Sequence, residues 1–308
     1  MILTYLKNKK LIGFEEGKNL NKKKINIFFQ EKIEKEGIKK ILNLKKNKII
    51  YYSNEFNFKI LNLIDKTKKV VIKTPEMSLT DFEIYHSSYI FGLFSNTIFT
   101  WKRDNYNNWK NFAKISLKDA LEKIFILERS NLMITTSFFH NKIKLWSFLN
   151  EKILFCGQAF LKEKIASIAT GKKQDYFAVG SLGGKVYLYN HNGMLLNVKK
   201  PSKFYKKNLG LSKSFPLQFV GKNTLFCGGG GQQLSKWDLR LDKTVSYWNG
   251  HTSEIEYIVS PPKSHNLNSF YLLTADTKGV IKKWDIRMER ELFSFKFPSN
   301  QISSLVIN

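Results

Sequence analysis

The 308-residue chain is poor in cysteine, in acidic residues and in long apolar runs. Its two cysteines, Cys156 and Cys227, form no CxxC motif and have no histidine cluster near them, which disfavours a secreted disulfide scaffold and a zinc module. No apolar run reaches the ~18 residues that a membrane-spanning helix requires. The charges of Lys7, Lys9 and Lys10 follow the first apolar stretch, which is the reverse of the order in a signal peptide. We therefore expect a globular protein of a reduced intracellular compartment, without a membrane partner.

Acidic residues number 25 against 51 lysines and arginines, so the formal net charge is +26. With 43% hydrophobic and 14% aromatic residues, the chain is too apolar to be a disordered basic tail. Arginine accounts for only five of the cations, although phosphate-specific sites usually depend on its bidentate guanidinium. Codon drift in an AT-rich coding sequence is an alternative source of the lysine excess. A net charge of this size attracts polyanions whatever its origin, so RNA is a candidate partner.

An internal repeat organises the sequence. Five segments share the pattern apolar–x–x–aromatic, and their last residues are spaced 45, 43, 48 and 47 apart. They are Ile98–Trp101, Ile143–Trp146, Val186–Tyr189, Leu234–Trp237 and Ile281–Trp284. The last position of this pattern is called the aromatic slot. Further upstream, Leu11–Phe14 and Phe58–Leu61 occupy the equivalent positions. Seven units of about 45 residues have the length of four-stranded propeller blades.

Apolar and polar residues alternate within a unit with a period of two, which is typical of strands. In the last unit the predicted strands are Glu256–Val259, Tyr271–Thr274, Val280–Asp285 and Leu292–Phe297. Four strands per unit predict the blade of a β-propeller. In the segment Ile25–Ile38 a helix is the nearest competing interpretation.

The two ends of the chain complement each other. Up to its slot residue, Phe14, the first unit has room for only two strands, Ile2–Leu6 and Lys10–Glu15. After the last unit, Ile302–Ile307 is a spare strand. Pairing the spare strand with the N-terminal blade would close the ring and leave no open edge there. We therefore predict one all-β domain over residues 1–308: a seven-bladed β-propeller of four-stranded antiparallel blades, closed by that pairing.

The residues that end two of the units resemble the WD40-repeat family. Lys236–Arg240 and Lys283–Arg287 are similar to the Trp-Asp ending of its repeats, and Gly250–His251 is similar to the Gly-His dipeptide that opens one. The structural motif residues that this resemblance implies are Trp237, Asp238, His251, Thr274, Trp284 and Asp285. The family's Ser/Thr position, ten residues before the aromatic slot, holds Thr4, Thr136 and Thr274.

In this family a buried hydrogen-bond chain often links His, Ser/Thr, Asp and Trp within one blade. His251, Thr274 and Trp284 match three of these positions, but the Asp position, six residues before the tryptophan, holds Lys278. Asp276 lies two residues away and could substitute imperfectly. Most other units lack the chain, so we expect blades that are held mainly by aromatic and aliphatic packing.

Arg240 and Arg287 follow the third predicted strand of adjacent units and should project from the same face. Their tandem Trp-Asp-x-Arg endings resemble the box of WD40 substrate receptors that dock on the DDB1 adaptor of cullin ubiquitin ligases. This resemblance makes both arginines candidate partner-binding residues. Alternatively, each arginine pairs with a neighbouring carboxylate or backbone carbonyl, as in many unrelated WD40 proteins.

A basic insertion between units, at residues 199–214, should lie on the face opposite to these arginines. Its lysines would attract phosphate, and its aromatic residues could stack on an unpaired base. The candidate RNA- or polyanion-binding residues are Lys199, Lys200, Lys203, Phe204, Tyr205, Lys206, Lys207 and Lys213. Lys22–Lys24 and Lys39–Lys48 add basic patches upstream. The alternative is that all of these segments are solvated loops in a lysine-drifted chain.

No residue is nominated for catalysis, for a cofactor or for a metal. The five histidines are scattered without a ligand at a suitable spacing, and Gly228–Gly231 lacks the Gly-Lys-Ser/Thr of a phosphate-binding loop, so it is interpreted as a turn. From fold analogy and charge, we expect a non-catalytic scaffold that contacts proteins of a multi-subunit complex, and RNA, but no small-molecule substrate. The expected setting is a nuclear ribonucleoprotein assembly, such as ribosome biogenesis or mRNA processing. The alternatives are a substrate receptor of a cullin–DDB1 ligase and a cytoplasmic location.

Overall fold

The computed structural model describes residues 2–6, 10–16, 25–32, 38–45, 47–53, 55–137, 141–149, 152–171, 176–199, 215–228, 232–241, 244–261, 270–297 and 302–307. Strands dominate the described residues, and the short 3-10 turn Glu128–Ser130 is the only helical segment among them.

The strands β4 to β27 form six blades of four consecutive antiparallel strands, named A to F. Blade A contains β4 (Ile38–Lys45), β5 (Lys48–Ser53), β6 (Asn57–Asn62) and β7 (Lys68–Lys73). Blade B contains β8 (Asp81–Tyr85), β9 (Tyr89–Phe94), β10 (Thr97–Arg103) and β11 (Trp109–Ser116). Blade C contains β12 (Lys123–Leu127), β13 (Leu132–Ser137), β14 (Lys142–Leu149) and β15 (Lys152–Phe160).

Blade D contains β16 (Ile165–Thr170), β17 (Tyr176–Ser181), β18 (Val186–Asn190) and β19 (Leu195–Lys199). Blade E contains β20 (Leu217–Val220), β21 (Thr224–Cys227), β22 (Leu234–Asp238) and β23 (Thr244–Trp248). Blade F contains β24 (Ile255–Val259), β25 (Tyr271–Asp276), β26 (Val280–Asp285) and β27 (Arg290–Lys296). A further four-stranded sheet, the terminal sheet, joins β1 (Ile2–Leu6), β2 (Lys10–Glu16) and β3 (Ile25–Lys32) with β28 (Ile302–Ile307).

The blades are arranged as a β-propeller. Within blades A to F each strand pairs with the next strand along the chain. The first strand of each blade also contacts the first strand of the following blade, and β28 contacts both β24 of blade F and β4 of blade A. These contacts form a closed series of inner strands. The predicted all-β propeller of four-stranded antiparallel blades is therefore confirmed.

The terminal sheet brings the two ends of the chain together. β28 pairs antiparallel with β1, so that Ile2 lies opposite Ile307 and Thr4 lies opposite Leu305. Ile302, Leu305 and Ile307 are buried in one apolar cluster with residues of blade F. The pairing that the strand count predicts for the two ends is present.

The described residues of the segment Ile25–Ile38, for which a helix is the competing interpretation, form strands. β3 pairs with β2 over its whole length, and Phe29 lies opposite Gly13. β4 then begins at Ile38. The period-two pattern is therefore the better guide to this segment.

The aromatic slot of most units coincides with a β-bulge. In blades B to F and in the terminal sheet, the register between the third and fourth strands of the unit shifts immediately before the slot residue. In chain order these residues are Phe14, Trp101, Trp146, Tyr189, Trp237 and Trp284. In blade A the shift follows Phe58 instead. Because a bulge bends its strand, the outer strands bend at an equivalent point in these sheets.

The apolar core lies between neighbouring blades. One cluster joins blades A and B around Phe58 and Trp101, and another joins blades B and C around Phe91 and Trp146. Corresponding clusters join C to D, D to E and E to F. Burial of apolar surface contributes about 25 cal/mol per Å², so packing between blades is a main source of stability.

An ion-pair network joins the inner strands of blades A, B and C. Lys40 Nζ of β4 lies 3.0 Å from Asp81 Oδ1 and 2.7 Å from Glu83 Oε1, both of β8. Asp81 Oδ2 also accepts a hydrogen bond of 3.1 Å from the backbone N–H of Ile124 in β12. Burial alone would lower the pKa of Lys40, but attraction to the two carboxylates outweighs it and raises the pKa. Lys40 therefore stabilises the packing between blades. The sequence analysis instead places it in the basic patch Lys39–Lys48.

Candidate functional site

A buried hydrogen-bond chain occupies blade F. Trp284 Nε1 of β26 donates to Thr274 Oγ1 of β25 at 2.8 Å, and this hydroxyl lies 2.6 Å from His251 Nε2. His251 precedes β24, and its Nδ1 lies 3.0 Å from Asp276 Oδ2 at the end of β25. All four side chains are buried. The three residues that the sequence assigns to the chain are thus brought together, with Asp276 as the fourth.

Asp276 completes the chain, although the spacing assigns the aspartate position to Lys278. Its Oδ1 accepts hydrogen bonds from the backbone N–H groups of Lys278 at 3.0 Å and Val280 at 2.9 Å. Gly279 has φ 77°, a left-handed conformation that favours glycine, and its N–H donates to the Asp276 carbonyl at 3.0 Å. Asp276 therefore holds the β25–β26 turn with one oxygen and His251 with the other, while Lys278 is exposed in the turn. Asp276 thus takes the role of the aspartate in the chain with full hydrogen bonding, although the sequence suggests only an imperfect replacement.

The proton positions follow from the chemistry of the donors. An indole N–H can only donate, so Thr274 Oγ1 accepts from Trp284, and its hydroxyl is free to donate to His251 Nε2. Nδ1–H of His251 then donates to Asp276 Oδ2, and every donor of the chain has an acceptor. Burial alone would raise the pKa of Asp276, but the hydrogen bonds from His251 and from the Val280 N–H outweigh it, so this pKa lies below its ordinary value.

Blade C contains a shorter form of the same chain. Trp146 Nε1 donates to Thr135 Oγ1 at 2.9 Å, and not to Thr136, which the ten-residue spacing assigns to this position. Eight residues separate Thr135 from its cross-strand partner in the β13–β14 hairpin, one more than separate Thr274 from its partner in blade F. Counting back from the tryptophan therefore reaches the wrong threonine. The Thr136 hydroxyl is buried and has no hydrogen-bond partner among the described residues.

Blade E lacks the acceptor. Trp237 lies opposite Leu225, and Cys227, two residues further along β21, has the register position that Thr274 has in blade F. Trp237 Nε1 is buried and finds no hydrogen-bond partner in the part of the chain that is described. Burial raises the pKa of the Cys227 thiol well above its usual range, so the group stays neutral and is at most a weak acceptor.

The aspartates of the two Trp-Asp endings hold the turns after β22 and β26. Asp238 Oδ1 accepts from the backbone N–H of Arg240 at 2.9 Å, and its Oδ2 lies 2.6 Å from Arg240 Nη2. The hydrogen bond from this guanidinium, helped by the backbone N–H, lowers the pKa of Asp238 to about 2. Asp285 Oδ1 accepts from the backbone N–H groups of Arg287 at 2.8 Å and Met288 at 3.0 Å. Both aspartates therefore stabilise the turns that carry the arginines.

Arg240 and Arg287 lie at equivalent positions, two residues after these aspartates. The Arg240 side chain is 70% exposed although it pairs with Asp238. Arg287 is also exposed, and its guanidinium carbon lies 4.3 Å from the centre of the Phe270 ring. Arg240 thus makes the carboxylate contact that the alternative interpretation expects, whereas Arg287 stacks on an aromatic ring. Both groups stay at the surface.

Of the basic insertion, the described residues include Lys199 alone. Lys199 is 3% exposed, and its Nζ donates to the backbone carbonyl of Leu241. Its ammonium group is therefore directed into the fold, in contrast to the exposed RNA-binding lysine that the sequence suggests. The remaining candidates lie outside the described residues: Lys200, Lys203, Phe204, Tyr205, Lys206, Lys207 and Lys213.

The sequence interpretation missed β15, the outer strand of blade C. Leu154 is 61% exposed, Phe155 54% and Phe160 61%. Ile153–Phe160 contains no charged residue, and β15 is the last strand of its sheet, so one of its edges is unpaired in the described structure. An uncharged apolar run at a predicted outer strand is the signal that would have identified it.

Within the described residues, no group of three or more His, Cys, Asp or Glu side chains is placed to hold a metal ion. The described part of the chain also has no helix that is long and apolar enough to cross a bilayer. No protein-family model matches the sequence, and no curated protein matches it significantly.

Proposed function

We propose that the chain is a divergent WD40 propeller in which the terminal sheet counts as a seventh blade. Two observations support this proposal. The inner strands of blades A to F and β28 form a closed series of contacts. Blade F also has a buried chain of His251, Thr274, Trp284 and Asp276 next to a Trp-Asp ending, which is the arrangement that the family resemblance implies.

The function proposed for this propeller is a non-catalytic scaffold, which contacts proteins and RNA in a nuclear ribonucleoprotein assembly such as ribosome biogenesis or mRNA processing. The exposed outer strand β15 is the observation that carries the protein-binding part. An unpaired strand edge presents backbone N–H and C=O groups to any extended segment that lies beside it. The exposed Leu154, Phe155 and Phe160 would add apolar contacts to such a pairing.

The occupant proposed for β15 is an extended, acidic segment of a partner protein. A second copy of this chain would bring another net charge of +26, and like charges disfavour such an association. Exposed lysines flank the strand: Lys152 at its start, and Lys162 and Lys164 just after its end. Carboxylates on either side of an apolar core segment would complement these lysines.

Affinity purification of the tagged full chain, with and without nuclease, tests the scaffold role. Leu154→Asp with Phe160→Asp should abolish the nuclease-resistant capture of protein partners, because these substitutions remove apolar contacts and repel the acidic flanks of the partner segment. Met194→Asp with Leu196→Asp is the matched control, since both residues are exposed apolar residues at the outer strand of blade D. Retention of the same protein partners by the β15 variant would contradict the docking role of this strand.

Hydrogen exchange identifies the contact directly. An alternating glutamate–valine dodecapeptide added to the unmodified chain should slow amide exchange in β15 and leave the exchange of β19 unchanged. Slowing that is equal at both outer strands, or absent from β15, would contradict the proposed occupant.

Exposure of Arg240 and Arg287 at equivalent positions in adjacent blades favours a second candidate, a substrate receptor that docks on the adaptor of a cullin ligase. If this function holds, Arg240→Ala with Arg287→Ala should lose the adaptor in a pull-down while the thermal unfolding transition persists. No adaptor captured by the unmodified chain would exclude this candidate.

A further inference from the structure

A pocket of about 480 Å³ lies between the outer parts of blades A and B. Its walls come from β7 of blade A, including Ile72 and Lys73, and from β10 and β11 of blade B. This volume falls within the ~300–1,000 Å³ of ordinary small-ligand sites. Because two blades form the pocket, the repeat pattern of a single unit gives no sign of it.

Aromatic rings form one side of this pocket. Phe99 and Trp101 are buried, and their rings are stacked with 6.0 Å between centres and 17° between planes. Trp109 of β11 lines the pocket while partly exposed. Asn111, two residues further along β11, lines it with an exposed amide side chain. The pocket therefore offers a partly exposed aromatic ring beside a group that can both donate and accept hydrogen bonds.

Lys73 lines the pocket, and lysines are frequent in the two outer strands that border it. The strands β7 and β11 contain five lysines and no acidic residue, namely Lys68, Lys69, Lys73, Lys110 and Lys114. Lys114 Nζ lies 5.4 Å from the centre of the Phe99 ring, and the Arg103 guanidinium carbon lies 5.9 Å from that of Trp109. Carboxylates are present as well, since Asp104 Oδ2 lies 3.3 Å from Lys110 Nζ and Glu76 directly follows the lining residue Pro75. Lys114 and Arg103 thus place positive charge against the aromatic wall, and Lys73 lines the side that β7 contributes.

We propose that this pocket binds an unpaired base of a single-stranded nucleic acid. The base would stack on Trp109, the Asn111 amide would bond to its edge, and Lys73 and Lys114 would contact the flanking phosphates. Aromatic faces within a cationic groove are the usual means of binding single strands, and a base must be unpaired to enter such a pocket. This inference rests on the RNA-binding part of the proposed function and gives that part a location.

Fluorescence anisotropy with a labelled 12-nucleotide oligouridylate tests the pocket in the full chain. Trp109→Ala should weaken binding by about tenfold, whereas Trp109→Phe, which keeps an aromatic face, should stay within about threefold of the unmodified chain. Lys73→Glu with Lys114→Glu should weaken binding by more than about tenfold and reduce the salt dependence. Lys278→Glu with Lys296→Glu is the control, because it makes the same change of net charge on exposed lysines of blade F, which does not line the pocket.

The results separate the pocket from RNA binding in general. If the unmodified chain binds the oligouridylate but the Trp109→Ala and lysine variants bind no more weakly than the control, the pocket proposal is wrong and RNA binding elsewhere still stands. If the unmodified chain does not bind, both the pocket and the RNA-binding part of the proposed function are wrong. A 12-nucleotide oligothymidylate shows which source is preferred: a clear preference for uridylate identifies RNA, and equal binding identifies single strands of either kind. A duplex that competes as well as the single strand would contradict an unpaired base in the pocket.

Discussion

At the scale of single residues, the tryptophans of blades C, E and F differ in whether their indole N–H has a hydrogen-bond acceptor. The Trp146 and Trp284 indoles each donate to a threonine hydroxyl, while the buried Trp237 indole has no acceptor among the described residues. A buried donor without a partner costs roughly 1–3 kcal/mol. One side-chain oxygen on the second strand of a blade therefore decides whether its tryptophan contributes a hydrogen bond or leaves a polar group unsatisfied.

Thr274→Val should destabilise the chain, whereas Thr136→Val should not. The first change removes the acceptor of Trp284 and the partner of His251 and should lower the free energy of unfolding by roughly 1–3 kcal/mol. The second change replaces a buried hydroxyl that has no described partner, so its effect should be near zero or stabilising. Urea unfolding of both variants is the measurement, and equal losses at the two sites would contradict the assignment of the chain.

Cys227→Thr should stabilise the chain. Threonine at this register position would offer an oxygen to Trp237 Nε1, as Thr274 does for Trp284, and one net hydrogen bond contributes about 1 kcal/mol. Cys227→Val is the control, because it has a similar shape without an acceptor. A urea midpoint that rises equally for both variants would assign the gain to packing and not to the hydrogen bond.

At the scale of strands and hairpins, the alternation of apolar residues is a good guide to position. The predicted strand Val280–Asp285 has the observed bounds, because each of its ends is fixed by turn residues visible in the sequence. Hairpin length is a weaker signal. The extra residue in the β13–β14 hairpin moves the threonine contact from Thr136 to Thr135, and the capped turn after β25 places the functional aspartate at Asp276 and not at Lys278. Both differences arise in turns, where spacing does not reveal register.

The Asp276 turn predicts how the stability of blade F depends on pH. Because the pKa of Asp276 in the folded chain lies below its ordinary value of 3.8, its contribution to stability is present above pH 3.8 and is lost as the pH falls through the folded value. Asp276→Asn should therefore lower the free energy of unfolding at pH 6, and the difference from the unmodified chain should shrink below pH 3.8. Urea unfolding at pH 6 and at pH 3 measures both differences. A difference that is unchanged in acid would show that the carboxylate charge is not what stabilises the turn.

At the scale of the whole molecule, contacts between blades were the least predictable part. The sequence predicts the meeting of the two ends because the strands can be counted, and β28 does pair with β1. It gives no sign that Lys40 binds Asp81 and Glu83 of the next blade, or that β7 and β11 enclose a pocket. Such contacts join residues about one unit apart and depend on how neighbouring sheets face each other. The four-stranded units and the pairing of the two ends could therefore be predicted from the sequence, whereas the surfaces between blades could not.

The most direct test of the closed ring is a cross-link between the two ends of the chain. Thr4 and Leu305 lie opposite each other in the β1–β28 pair, and Cα atoms in such pairs are ~4.5–5.5 Å apart, which suits a disulfide. Cys156, which is exposed, is first replaced by serine. Thr4→Cys with Leu305→Cys should then form an intramolecular disulfide on mild oxidation, whereas Thr4→Cys with Ile302→Cys should not, because Ile302 lies opposite Leu6. Mass spectrometry that finds no Thr4–Leu305 cross-link, or equal cross-linking in both variants, would contradict the closure of the propeller by its own ends.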